Sequence, residues 1–133
     1  MKSYVIVFLT CLFFICSHVY SQNFRRWEPA DGVAVRQGQH VEWGQASAYQ
    51  TEGEFAGEAV VVWNDSRNGY PGVLIQVFSA DGEPRFPENG LQVVNGPFRQ
   101  SEAAVAPCLD GGWFVVWVDF EADAGGDIYC TKV

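Results

Sequence analysis

The sequence predicts an all-β fold made of antiparallel, four-stranded repeat units. Three observations lead to this prediction: the chain is rich in Trp, Phe, Val and Gly, short apolar runs alternate with turn signals, and a pattern of about 55 residues occurs twice. From residue 22 onward no window has the apolar spacing of a helix. The 133 residues are enough for one small domain.

Residues 1–21 have the features of a secretory signal peptide. Lys2 supplies a positive charge, and residues 5–16 form an apolar run that is shorter than the roughly 20 residues of a membrane-spanning helix. Val19 and Ser21 suit a cleavage site before Gln22. We therefore expect an exported protein, secreted or at the cell surface, that does not insert in the membrane after cleavage.

The mature region, 22–133, is strongly acidic. Loss of Lys2 with the signal leaves seven Lys and Arg against sixteen Asp and Glu, a net charge of −9. Nucleic acids and anionic membrane surfaces bind clustered Lys and Arg, so the charge argues against both as partners.

An internal repeat is visible when residues 45–65 are placed beside residues 100–119. Gln, Ser, Ala, a Gly-containing turn, an apolar triplet, Trp and Asp recur in the same order, with Gln45 matched to Gln100. The match continues after the next loop, where residues 73–76 correspond to residues 128–131. Such self-similarity predicts a repeat architecture.

The repeat divides the mature region into three parts. These are a fourth-strand-like N-terminal element (24–44), a first full unit (45–98) and a second, incomplete unit (99–133). Residues 24–35 would fit a strand that completes the last unit of a closed ring. About two units are present and four or more are needed to close a ring, so we expect an incomplete ring with further units downstream.

Each unit reads as short strands separated by turns. In the second unit the first three strands are residues 100–106, 113–118 and 128–133. The middle one is apolar throughout, which predicts burial on both faces. In the first unit the third strand is 73–78, and the fourth is 83–86, 91–94, or both around a bend.

Four antiparallel strands in about 50 residues, repeated, are typical of a β-propeller blade. The W-x-D-x-R-x-G motif at residues 63–69, with a D-x-G turn and an aromatic before Asn-Gly further on, resembles the propeller-like repeats of large exported bacterial surface proteins. Many proteins of that family carry a C-terminal sorting module. The resemblance spans most of 24–133 and implies a β-propeller-like fold. The second copy departs from it, since Phe120 and Glu121 replace Ser66 and Arg67.

The W-x-D motif has a structural interpretation. A Trp that ends a buried strand is expected to pack between neighbouring blades, and the Asp to accept hydrogen bonds from turn amides or from an Arg. A catalytic carboxylate is the alternative, which is disfavoured because the motif occurs in each unit. The residues assigned this repeat-structural role are Trp63, Asp65, Arg67, Trp117 and Asp119.

The loop after the second Trp is a candidate calcium site. Alternating acids in a Gly-rich turn can direct several oxygens at one Ca²⁺, which takes 6–8 oxygen ligands. The candidate ligands are Asp119, Glu121, Asp123 and Asp127. Ala124 replaces the usual turn Gly and Cys130 the usual bidentate Glu, so a solvated loop with Asp-capped amides is the alternative.

Exposed aromatic residues are candidate ligand contacts. Tyr70, in the loop Asn-Gly-Tyr-Pro-Gly, is expected to be exposed and able to stack on a ligand. Trp27 and Trp43 are more easily explained as packing residues.

Cys108 and Cys130 are the two cysteines left after signal cleavage. They fall on the first and third strands of the second unit, which the second strand separates. Two strand spacings are roughly 9–10 Å, whereas a disulfide needs Cα atoms closer than about 7 Å. We expect two unpaired thiols.

Motifs for catalysis are scarce. His40 is the single mature histidine, no Ser has the surroundings of a nucleophile elbow, and there is no phosphate-binding Gly loop. We expect a non-catalytic binding or scaffold module for a protein or a glycan, without a cofactor unless it is Ca²⁺. The alternative is the N-terminal part of a propeller glycosidase or lyase, whose carboxylate pair would be a three-dimensional property.

Overall fold

Seven antiparallel strands make up the described part of the chain, which in this computed structural model is residues 33–37, 42–94 and 96–133. The strands are β1 (Glu42–Tyr49), β2 (Ala59–Asp65), β3 (Gly72–Phe78), β4 (Leu91–Val94), β5 (Gln100–Pro107), β6 (Trp113–Asp119) and β7 (Asp127–Lys132). These ranges contain no helix, and thus no helical membrane span. The all-β prediction is confirmed.

The strands form two sheets, ordered β1-β2-β3-β4 and β5-β6-β7. The predicted fourth strand is residues 91–94, whereas the 83–86 segment contributes only an isolated bridge from Phe78 to Pro84. In the described ranges the sheets do not close into a ring. The predicted signal peptide, 1–21, and most of the proposed strand 24–35 lie outside the described residues, and residues 33–35 form no strand.

The two sheets share one pairing pattern. Glu42 faces Asp65 across β1 and β2, and Gln100 faces Asp119 across β5 and β6. Both first strands then shift register, at Gly44 (φ 62°) and Glu102 (φ 56°). Gln100 therefore corresponds to Glu42, and our match of Gln100 with Gln45 is wrong.

The wrong match of Gln100 with Gln45 results from the different lengths of the two loops. The β1–β2 connection covers residues 50–58, whereas the β5–β6 connection covers residues 108–112. The alignment of the Gln-Ala-Ser run at residues 45–47 with Gln100 allowed only one extra residue in the longer loop. It therefore matched the wrong residues of the two first strands. Hydrogen-bond register fixes the correspondence, since each side chain's face depends on it.

The core lies between the two sheets. Val60, Val62, Val73, Ile75 and Val77 of β2 and β3 pack against Ala103, Trp113, Val115 and Trp117 of β5 and β6. In the second sheet, β5 is the strand whose backbone lies close to β1, β2 and β3. Full burial of each such aliphatic side chain is worth about 1.5–3 kcal/mol, so this contact dominates the stability of the described region.

The two motif tryptophans lie on different surfaces. Trp117 is buried between the sheets and stacks on Tyr129, with ring centroids 6.2 Å apart. Trp63 points to the opposite side of β2 from Val62, because neighbouring residues of a strand alternate faces. There it is 2% exposed and packs beside Gly90.

Burial on both faces of strand 113–118 was expected and is wrong. Strand β3 is buried along its whole length, but β6 alternates, with Phe114 43% exposed. Among the described residues no further sheet packs on the outer face of the second sheet, and its apolar residues are half-buried or exposed. We name this surface the outer face, and its residues are Ala104, Ala106, Phe114, Val116, Val118, Ile128, Cys130 and, opposite Phe114, Lys132.

A buried amide ties the first sheet to the second. Asn64 Nδ2 donates to the carbonyl oxygens of Gly72 (3.3 Å) and Gln100 (3.1 Å). The backbone N–H of Gln100 donates to the oxygen of Pro71 at 2.8 Å. The start of β5 is thereby fixed against the β2–β3 loop.

We predict that Gly90→Ala destabilises the protein by about 2 kcal/mol more than Gly69→Ala. Both glycines have positive φ (81° and 90°), so both variants bear the same backbone strain. A Cβ at Gly90 would lie 2.5 Å from Trp63 Cη2 and 2.7 Å from the Ile75 oxygen, whereas Gly69 has open space. Urea unfolding of the two variants measures the difference, and equal midpoints would contradict the packing of Trp63 described above.

Candidate functional site

Polar and aromatic side chains gather at one end of both sheets, which we name the Asp end. Strands β2 and β6 end there at Asp65 and Asp119, and β1 and β5 begin there. The connections at this end are residues 66–71, 96–99 and 120–126.

Asp65 is held by two arginines. Its carboxylate accepts hydrogen bonds from the Arg67 backbone N–H (2.6 Å), from Arg67 Nε (3.0 Å) and Nη2 (2.6 Å), and from Arg36 Nε (3.3 Å). Both expected partners of this Asp, the turn amide and Arg67, are thus present. Asp65 is 1% exposed, so these bonds replace nearly all of its hydration.

The pKa of Asp65 reflects this balance. Burial raises it, but the hydrogen bonds from the Arg67 side chain and backbone, its positive charge and the bond from Arg36 outweigh burial. The pKa falls from 3.8 to about 2. Asp65 is therefore an anion at every physiological pH.

Asp119 is also buried, but the side chain that donates a hydrogen bond to it is neutral. Gln100 Nε2 donates to Asp119 Oδ2 at 3.1 Å, and the Glu121 backbone N–H donates to Oδ1 at 2.8 Å. Gln100 stands where Glu42 stands in the first sheet. Because the amide donates directly, no Arg is needed, and Glu121 in place of Arg67 is accommodated.

A cavity of about 260 Å³ opens beside the first of these clusters. It lies on the side of the first sheet opposite the core, and its walls are Val35, Arg36, Glu42, Gln45, Val61 and Trp63. Arg36 Nε is 2.8 Å from Glu42 Oε1 in an ion pair. Within the described residues, Arg36 Nη1 and Trp63 Nε1 are buried without a hydrogen-bond partner.

Sequence reasoning missed Arg36, Glu42 and Gln45. Arg36 meets Asp65 across 29 residues, and nothing in the local sequence marks that contact. The one available signal was the position of Glu42 opposite Asp65, which needed the correct register of β1.

The structure does not assemble the predicted calcium site. Asp119 is turned toward Gln100, and Asp123 Oδ1 accepts hydrogen bonds from the N–H groups of Gly125 (2.6 Å) and Gly126 (3.1 Å). Across the described ranges no three His, Cys, Asp or Glu side chains are placed to hold a metal ion, and this includes Asp119, Glu121, Asp123 and Asp127. The loop instead has Asp-capped amides, the alternative considered from the sequence.

The loops of the Asp end carry exposed aromatic residues. Tyr70 is 54% exposed, as expected, and Phe98 is 38% exposed. The guanidinium carbon of Arg99 lies 4.8 Å from the centre of the Phe120 ring. We name Tyr70, Phe98, Arg99 and Phe120 the aromatic loop face.

Hydrogen bonds hold these loops together. The Phe120 backbone N–H donates to the Arg99 oxygen at 3.1 Å, and the Gln100 N–H to the Pro71 oxygen at 2.8 Å. Asn68 Nδ2 donates to Gln92 Oε1 at 2.8 Å, which anchors the Tyr70 loop to β4. The aromatic loop face is therefore supported by both sheets.

A second opening, of about 330 Å³, lies between the sheets at the opposite end. Phe55, Val77, Phe86, Trp113 and Val133 supply its apolar wall, and Glu58 and Arg85 form an ion pair at its edge. Cys108 lies after β5 at this end and Cys130 lies on β7; both thiols are unpaired. The strand order β5-β6-β7 gives the reason, since β6 lies between them.

We predict that Asp65→Asn lowers the unfolding free energy by about 3 kcal/mol near neutral pH, because it leaves buried guanidinium groups without their anion. The folded-state pKa is depressed, so the carboxylate stabilises fully above pH 3.8 and less as the pH falls toward about 2. Urea unfolding at neutral pH and at a pH of about 2 measures both effects, and the gap between wild type and variant should narrow on acidification. Asp123→Asn, on the exposed loop, is the control. A gap that stays constant with pH would contradict the assignment.

Two features of the Asp end can contact a ligand: the cavity beside Trp63 and the aromatic loop face. The first is an open cavity whose walls carry unbonded polar atoms, whereas the second is exposed and aromatic. No protein-family model, curated protein or solved structure matches this chain.

Proposed function

We propose that this protein is an exported, non-catalytic module that binds a protein or a glycan through its aromatic loop face. The observation that carries the proposal is the exposure of Tyr70 and Phe98 on loops that both sheets anchor. Aromatic residues and Arg are the side chains that contribute most at binding interfaces. Anchored loops also lose little conformational entropy on binding.

The state of Asp65 supports a non-catalytic role for the W-x-D motif. A general acid or base needs a pKa near the working pH and access to substrate. Asp65 is buried, bonded to two arginines and has a pKa of about 2. Its chemistry suits an anchor for the β2–β3 turn.

We predict that Tyr70→Ala weakens ligand binding at least about fivefold, because truncation of an aromatic contact costs over about 1 kcal/mol. Tyr49→Ala is the matched control, since Tyr49 is equally exposed (57%) but lies at the opposite end of the sheets. Binding of the purified protein to an array of glycans and to extracted surface proteins, each read out by labelled protein, supplies the measurement. Equal loss in both variants, or none in either, would overturn the proposal. Hydrolysis of an array glycan would favour the glycosidase instead.

We further propose that the two sheets are consecutive blades of a propeller-like array. The shared register supports this, because Phe114 and Val116 of the outer face occupy the positions of Val60 and Val62. Those two residues of the first sheet are covered by the second sheet. The outer face is thus built to be covered by a further sheet of the same kind.

We predict that this chain self-associates through the outer face, and that Phe114→Lys shifts it toward monomer. An exposed apolar sheet face favours association, and a buried unpaired Lys opposes it. Leu109→Lys is the control, because Leu109 is fully exposed on the β5–β6 turn, away from that face. Sedimentation velocity over a concentration series gives the mass. Identical behaviour of wild type and both variants would contradict the proposal.

A further inference from the structure

We propose that the cavity beside Trp63 binds a single neutral sugar ring, free or as the end of a glycan. This inference deepens the glycan-binding form of the proposed function and rests on it, but it assigns a separate site. The two sites share no residue: the cavity contains Val35, Arg36, Glu42, Gln45, Val61 and Trp63, and the aromatic loop face contains Tyr70, Phe98, Arg99 and Phe120.

Two buried donors in the cavity walls have no acceptor within the described part of the chain. The Arg36 side chain is only 9% exposed, yet its Nη1 makes no hydrogen bond. Trp63 is 2% exposed, and its indole N–H is also unbonded. Buried polar groups nearly always have partners, so such a pair in one cavity indicates a ligand with acceptor oxygens.

The same cavity also offers an acceptor. Arg36 Nε lies 2.8 Å from Glu42 Oε1 in an ion pair and also donates a hydrogen bond to Asp65. An ionised carboxylate has about four lone-pair sites, so the ion-paired Glu42 can still accept a hydrogen bond from a ligand hydroxyl. A hydroxyl group both donates and accepts, so a ring bearing several hydroxyls offers partners for donors and acceptors alike.

The local charge favours a neutral ligand. Arg36 and Arg67 are balanced by Glu42 and Asp65, and the two arginines are already bonded or paired to those carboxylates. An anionic ligand would meet Glu42 directly and would be repelled. A cationic ligand would meet the unbonded N–H groups of Arg36 and Trp63.

Shape and size narrow the ligand to one ring. Val35, Val61 and the Trp63 ring give the cavity an apolar side, which suits the C–H face of a sugar. Its volume of about 260 Å³ lies just below the roughly 300–1,000 Å³ of sites for drug-sized ligands. A chain of several sugars would have to extend outside.

The test follows the Trp63 indole N–H by ¹H–¹⁵N NMR while the full chain is titrated with glucose, galactose, mannose, N-acetylglucosamine and glucuronate. Trp63→Phe assigns the resonance. We expect at least one neutral sugar to shift it saturably, with a Kd on the order of millimolar, and glucuronate to bind more weakly. The Trp117 indole N–H is the internal control, because it is also buried and unbonded but lies in the core between the sheets.

Val61→Leu adds a methylene to the cavity wall and should weaken binding at least about tenfold. Gln45→Ala, at an exposed wall position, tests the same cavity if the first variant is unstable. Tyr70→Ala should leave the titration unchanged, so loss of the loop-face function and loss of this site are separable. No shift with any neutral sugar, equal shifts of both indoles, or stronger binding of glucuronate would overturn the proposal.

Discussion

The packing of the β2–β3 valines and isoleucine against Trp113, Val115 and Trp117 is the contact on which the rest of the described structure depends. Neither sheet can bury an apolar face alone, and isolated small sheets are at best marginally stable. The contact brings β5 to the first sheet, where Asn64 and the Pro71 oxygen fix its first residue. The loops of the Asp end meet as a consequence.

Burial of an Asp at the end of each second strand imposes a second constraint. In the first sheet, Arg36 and Arg67 form ion pairs with the buried Asp65, and Glu42 balances the second positive charge. The second sheet meets it with the neutral amide of Gln100. The first solution leaves one donor of Arg36 unbonded, because a guanidinium has more donors than its two carboxylates satisfy.

Most strands could be predicted because local patterning specifies them. The alternation of apolar runs with Gly, Pro and Asp turns located five of the seven strands to within a residue or two, and both candidates for the fourth strand contact β3. Burial was harder. The run 113–118 has the same apolar character as β2 and β3, but only the number of sheets packed against each strand decides whether one face or two are covered.

The contacts of the candidate site were likewise predictable only where the partners are close in sequence. Asp65 with Arg67 was foreseeable, since the partners lie two residues apart in a turn. Arg36 and Glu42 were not, because their contact with Asp65 depends on register and on a segment distant in sequence. In the acidic loop the spacing of the acids suggests a calcium site, but Asp123 accepts a hydrogen bond from an amide of its own loop.

The sequence by itself determined the strands, the turns, the exposed Tyr70 and the unpaired cysteines, because each follows from short-range geometry or strand order. Only the tertiary structure decided which side of each sheet is covered, which residue faces Asp119, and where donors remain unbonded. Those properties depend on strand register and on packing between sheets, and a register shift of one residue reverses the face that every side chain of a strand presents.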